Sequence, residues 1–103
     1  MSKGPEKQFE DNIVKPFLKS FPKCWFVKIM GNMFQRSGIP DIIGIVNGTF
    51  IALELKAENG KPSALQVYNI EQLNWCGAYA RTVKPSEWEE VKKDLFKLSE
   101  GGN

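Results

Sequence analysis

Asp41, Glu54 and Lys56 flank two apolar runs, residues 42–46 and 50–55, that are joined by Asn47-Gly48. Asn-Gly between β-rich runs favours a two-residue turn, because both central residues must take positive φ. In such a hairpin cross-strand partners have numbers summing to ninety-five, which pairs Val46 with Thr49 and, at the far end, Asp41 with Glu54. Opposed residues share a face with Cβ atoms about 4.5–5.5 Å apart, and Lys56, two positions beyond Glu54, points the same way. Two carboxylates at that separation repel by about 3 kcal/mol at an effective dielectric near 20. A divalent cation reverses the sign, since Mg²⁺ and Mn²⁺ take carboxylate and carbonyl oxygens. Taken singly, Asp41 is an ordinary strand-initiating residue and Glu54 with Lys56 an ordinary edge pair. Taken together they fit that account less well, because Glu54 lies inside Phe-Ile-Ala-Leu-Glu-Leu, where an unpaired charge is costly.

Gln66 and Glu10 have two readings each. Gln66 stands three after Ser63 and so completes a capping box, yet with Ile70, Leu73 and Gly77 it also falls on one helical stripe that would turn its amide to the sheet. Glu10 shares its side of the first helix with Phe9 and Ile13, which would direct a carboxylate inward. Glu6, one turn earlier, is its rival, and the default for either is a solvated surface acid.

The elements that must position these groups follow from periodicity. Pro5 to about Leu18 reads as a helix, with Phe9, Ile13 and Phe17 recurring every fourth residue as its apolar stripe. Pro16 predicts a kink or an early end there. Trp25, Val27 and Ile29 alternate with Cys24, Phe26 and Lys28 as a first strand, and a loop runs from Gly31 to Pro40. Both faces of both hairpin strands are apolar, which predicts a sheet covered on two sides. Ser63 to Cys76 is a helix stopped by Gly77, and Ala78 to Val83 is a short strand. A last helix follows Pro85, with Ser86 and Glu89 as a second capping box and Trp88, Val91, Leu95 and Leu98 as its buried stripe. The order is αβββαβα, an α/β single domain over residues 1–103 with no repeat or low-complexity stretch.

The bulk composition removes several chemistries. A chain of 103 residues with 42% hydrophobic and 25% charged residues makes one globular domain. It has no histidine, which excludes Ser-His-Asp and Cys-His catalysis and ordinary zinc sites. Hydrolysis would have to run on carboxylates, lysine and a hard metal. No segment suits a signal peptide or a membrane span, so an intracellular protein is expected, with Cys24 and Cys76 reduced in the core. The formal charge of +2 permits a polyanionic partner without requiring one.

Gly38-Ile39-Pro40-Asp41, twelve intervening residues, Glu54-Leu55-Lys56, then Gly60-Lys61-Pro62-Ser63 and Gln66, resembles the VRR-NUC domain of the P-D…E-x-K nuclease superfamily. The likeness runs from Glu10 to about Val83 and implies a restriction-endonuclease-like core, a mixed β-sheet flanked by helices. It further implies Mg²⁺- or Mn²⁺-dependent hydrolysis of phosphodiesters by in-line attack of water, leaving a 5′-phosphate and a 3′-hydroxyl. Asp41 and Glu54 would be metal ligands with the Leu55 carbonyl, Lys56 would stabilise phosphate charge, and Gln66 would join the active site. The family's helix-one acid is placed at Glu10, three residues before Ile13, with Glu6 as the alternative. Small stand-alone members resemble phage-encoded enzymes that dimerise and cut four-way DNA junctions, which predicts a homodimeric junction resolvase. Lys28, Arg36 and Lys61 are the expected DNA contacts near the catalytic edge, and Phe34 could stack on an unpaired base. The rival readings are a nuclease for flaps or linear ends and a non-catalytic DNA-binding module on the same fold.

Overall fold

A computed structural model describes residues 4–30 and 37–101. The first helical segment is continuous but not uniform: α1 spans Pro5–Phe9, a π turn spans Glu10–Val14, and α2 spans Lys15–Ser20. The Lys15 N–H bonds the Glu10 carbonyl, so the helix does not end at Pro16, and the irregularity expected there takes the form of a π turn just before it. The extra residue also moves the buried stripe. Phe9, Val14 and Leu18 are buried whereas Ile13 is 44% exposed, so the apolar face advances by five residues across the π turn and by four after it.

Strands β1 (Cys24–Lys28), β2 (Ile42–Val46), β3 (Thr49–Leu55) and β4 (Tyr79–Val83) form one mixed sheet in the order β1-β2-β3-β4. The first three are antiparallel and β4 runs parallel to β3, joined by the crossover helix α3 (Ala64–Trp75). Asn47 and Gly48 take φ of 46° and 91°, and the register pairs Val46 with Thr49 and Ile42 with Leu53, as the Asn-Gly turn dictates. Gly44 marks a close approach of β2 to β1, since a Cβ there would run into the Trp25 carbonyl oxygen and the Phe26 backbone.

One continuous core lies between the sheet and the layer of α1, α2 and α4 (Trp88–Ser99), including Val14, Leu18, Ile51, Leu53, Trp88 and Leu95. The opposite face is less protected. Helix α3 packs on β4 and β3, and a helix of about 10–12 Å diameter cannot span four strands spaced about 4.8 Å apart. Trp25, Ile45 and Phe50 therefore stay 63, 42 and 41% exposed, so the sheet is covered on one face and only half covered on the other.

Two local expectations are also corrected. Ser86 does not cap the last helix with Glu89; its N–H and Oγ bond the Glu58 carboxylate, and Pro85–Glu87 forms a 3₁₀ turn in which Glu87 accepts the Lys84 N–H. Cys76 is exposed at the end of α3 rather than held in the core, whereas Cys24 is half-buried against it. Gly77 (φ 101°) closes α3, with the Ala78 N–H bonded to the Leu73 carbonyl and the Gly77 N–H to that of Asn74. Among the described residues no helix is long and apolar enough to cross a membrane.

Candidate functional site

The site forms at the end of the sheet farthest from the hairpin turn. Asp41 lies one residue before β2 and is fixed from both sides: its carbonyl accepts the Ile29 N–H at 2.7 Å, and its Oδ2 accepts the Leu55 N–H at 2.9 Å. The carboxylate thus replaces the backbone partner that β3 lacks beyond the end of β2. The preceding turn is clamped to α3, because the Gly38 carbonyl accepts the Asn69 amide at 2.9 Å. Only glycine fits at position 38, where φ is 80° and a Cβ would lie 2.7 Å from Leu65 Cγ.

Glu54, on β3 beneath the first turn of α3, is 3% exposed. Its Oε2 accepts the Gln66 amide at 2.9 Å and lies 3.4 Å from Lys56 Nζ. Its Oε1 is buried and, among the described residues, has no hydrogen-bond partner. Burial, and then the charge of Asp41, push the Glu54 carboxyl up to about 7 against the opposing pull of Lys56. A buried carboxylate with an unsatisfied oxygen facing a second acid is the electrostatic situation that a cation relieves.

Gln66 performs both of its expected roles at once. Its Oε1 accepts the Ser63 N–H at 2.8 Å while its Nε2 donates to Glu54, and Ser63 Oγ accepts the Gln66 N–H at 3.1 Å. The two ends of one amide serve the capping box and the site.

The two acids of the first helical segment are separated by their neighbours. Glu10, 2% exposed, is held by Lys28 at 2.7 Å and Lys15 at 2.9 Å. Burial raises its carboxyl, but the bonds and charges of those two lysines outweigh burial and leave it below the ordinary range. Glu6 is half-buried; burial and then the charge of Asp41 raise its carboxyl, and it acts in turn on Glu54. Glu6 is therefore the helix acid within electrostatic reach of Asp41 and Glu54, and Glu10 meets the site through Lys28, whose Nζ is 3.9 Å from Asp41 Oδ1. Lys28 is consequently engaged by acids rather than displayed to solvent, and Lys61 is exposed in the segment between β3 and α3. Arg36 and Phe34 lie outside the described residues. Among the described residues, no three acid, cysteine or histidine side chains converge closely enough to hold a metal by themselves.

Sequence reasoning missed Lys15 and Asn69. The Asp11-Lys15 spacing of four marks a helix-face ion pair, which the structure shows at 3.4 Å, but nothing in the sequence ties it to Glu10. Asn69 follows Gln66 by three and so shares its side of α3, which was the available signal for its clamp.

No family model matches the chain, and no curated protein matches it. Among solved structures, it is similar to Hjc of Archaeoglobus fulgidus, a Holliday junction resolvase from an archaeal hyperthermophile, with a TM-score of 0.54 and 21% identity. The match takes in 76% of this chain and 66% of that one, just under two thirds of its length. At that identity the likeness bears on the fold, which is of the restriction-endonuclease-like kind: a four-stranded mixed sheet flanked by helices.

Proposed function

We propose that the chain is a Mg²⁺- or Mn²⁺-dependent endonuclease that cuts branched DNA, a four-way junction first among candidates, as a homodimer. The observation that carries this reading is the buried, unpartnered Glu54 Oε1 in the electrostatic field of Asp41. The match to a Holliday junction resolvase supports the choice of substrate by fold analogy.

Asp41, Glu54 and the Leu55 carbonyl would hold the ion, and Glu6 rather than Glu10 is the first-helix acid whose charge reaches that pair. A strand residue exchanges its N–H and C=O on one side, so the Leu55 carbonyl is directed to the edge where its N–H meets Asp41. When bound, the cation supplies Lewis acidity toward the phosphate and lowers the pKa of water. Lys56 places a fixed positive charge beside the phosphoryl oxygens that gain charge in the transition state. Gln66 orients Glu54 through one oxygen, which leaves the other for the ion. Glu10 holds Lys28 beside Asp41, and the exposed Lys61 meets the DNA backbone. With a net charge of only +2, selectivity arises from DNA shape rather than from bulk attraction.

The test is cleavage of an end-labelled four-way junction in Mg²⁺ or Mn²⁺ against EDTA, with flaps, splayed arms and linear duplex in parallel. Wild type should cut the junction preferentially, and Asp41→Asn and Lys56→Ala should each lose about 10²–10³-fold in rate, the size of losing one preorganised electrostatic group. Metal-dependent binding without strand scission would replace the reading with a non-catalytic module. Equal activity on all substrates would remove the junction preference and leave a general structure or end nuclease.

A further inference from the structure

The lysine that ends β1 stands between two acids from different elements. Lys28 Nζ is 2.7 Å from Glu10 Oε1 and 3.9 Å from Asp41 Oδ1. Both acids are held from their other sides as well. The second oxygen of Glu10 is taken by Lys15 at 2.9 Å and by Lys7 at 3.4 Å. The second oxygen of Asp41 accepts the Leu55 N–H, and its carbonyl accepts the N–H of Ile29, the residue after Lys28. Main-chain and side-chain bonds thus gather β1, Asp41 and the π turn around one ammonium, and Glu10 is buried there.

We infer that Lys28 is a built-in substitute for a second divalent cation, so that the site takes a single ion, at Asp41 and Glu54. A cation joining the helix acid Glu10 to the strand acid Asp41 needs the oxygens that the Lys28 ammonium already engages. Charge gives the same count. Around Glu54 the neighbouring acids are Asp41 and Glu6 and the opposing cation is Lys56. Three carboxylates against one ammonium leave two negative charges in excess, which one divalent ion balances. On the helix side, Lys7, Lys15 and Lys28 face Glu10 and Asp11, so positive charge is already in excess there. Two like unit charges about 4 Å apart at an effective dielectric near 20 repel enough to weaken binding about a thousandfold, and a divalent ion doubles the repulsion. Lysine brings a compact point charge on a covalent stem, in place before any ion arrives. Lys28 is accordingly a positioning residue: it steadies the Asp41 oxygen that the Leu55 N–H does not hold.

The inference rests on the metal-dependent nuclease reading, and its test separates the two. Mn²⁺ titration of the EDTA-stripped protein, followed by calorimetry and electron paramagnetic resonance, should give one ion per chain for wild type, with the signal of an isolated Mn²⁺. Lys28→Gln keeps a donor for Glu10 and loses the charge; it should bind a second ion, and the two ions should show spin coupling. Lys28→Arg should stay at one ion. So should Lys28→Gln combined with Glu10→Gln, which removes the carboxylate the second ion needs. A purely structural role for Lys28 leaves the count at one in every variant. Circular dichroism checks folding, and where Lys28→Gln does not fold, the count in Lys28→Met, which keeps the apolar stem, decides. Two ions in wild type, or a folded charge-free variant that still takes only one, overturns the inference and leaves the nuclease reading standing. A wild type that binds no Mn²⁺ overturns the nuclease reading, and the inference with it.

Discussion

Replacing Glu54 by Gln should stabilise the metal-free protein at neutral and alkaline pH, although it removes a group proposed to be essential. Glu54 has its carboxyl raised from 4.5 to about 7 by burial and by Asp41. A carboxyl raised in the folded state favours folding while protonated. Its contribution is full below the unfolded value of 4.5 and is lost progressively as pH rises to about 7. At about 1.4 kcal/mol per pKa unit, full ionisation takes roughly 3 kcal/mol from the fold, or on the order of 10–20 °C in Tm for a domain of this size. Glutamine keeps an acceptor for the Gln66 amide and ends the ionisation, forfeiting only the Lys56 contact at 3.4 Å. Urea denaturation in EDTA across pH 4.5 to 8.5 is the assay. Wild type and Glu54→Gln should nearly coincide at the acidic end and separate above pH 6, with the variant the more stable. Adding Mg²⁺ or Mn²⁺ at pH 8 should close the gap by stabilising wild type alone. A wild type as stable as the variant at pH 8 without metal would refute the claim that this carboxylate is held in an uncompensated site.

The π turn predicts unequal effects at neighbouring positions: Val14→Ala should destabilise by about 2–3 kcal/mol in chemical denaturation and Ile13→Ala by less than about 1, the reverse of what an unbroken four-residue stripe requires. Gln66→Ala removes a cap acceptor and a partner of Glu54 together. It should lower stability by about 1–2 kcal/mol and slow junction cleavage, while Ser63→Ala, which loses only the cap, lowers stability with little effect on the rate per folded molecule.

The site was legible in the sequence where local chemistry fixed long-range geometry. Asn47-Gly48 determines a register, and a register determines that residues 41 and 54 meet, so a turn of two residues located both acids. The buried stripe of the first helical segment was misread because periodicity assumes one winding throughout, and the π turn inserts a residue between Phe9 and Val14. Ser86 was misassigned for another reason: a Ser-x-x-Glu pattern is a local signal, and Glu58, distant in sequence, supplied a stronger partner. The apolar composition of both hairpin faces was read as a sheet covered on two sides, although composition alone cannot say how far a single helix, α3, reaches across four strands. Glu6 and Glu10 are set apart by burial and by the lysines that the fold brings to Glu10, one of them from β1, and no spacing rule along a helix contains that information.

The double duty of Gln66 has a bearing on the order of events during folding. Its oxygen helps nucleate the helix that crosses from β3 to β4, and its nitrogen steadies the acid beneath that helix. A half-formed chain, with the hairpin made but the crossover still unwound, would have Glu54 free to swing and to take up water or a proton. The surroundings of Glu54 are thereby completed only once α3 has formed and the parallel strand β4 has docked.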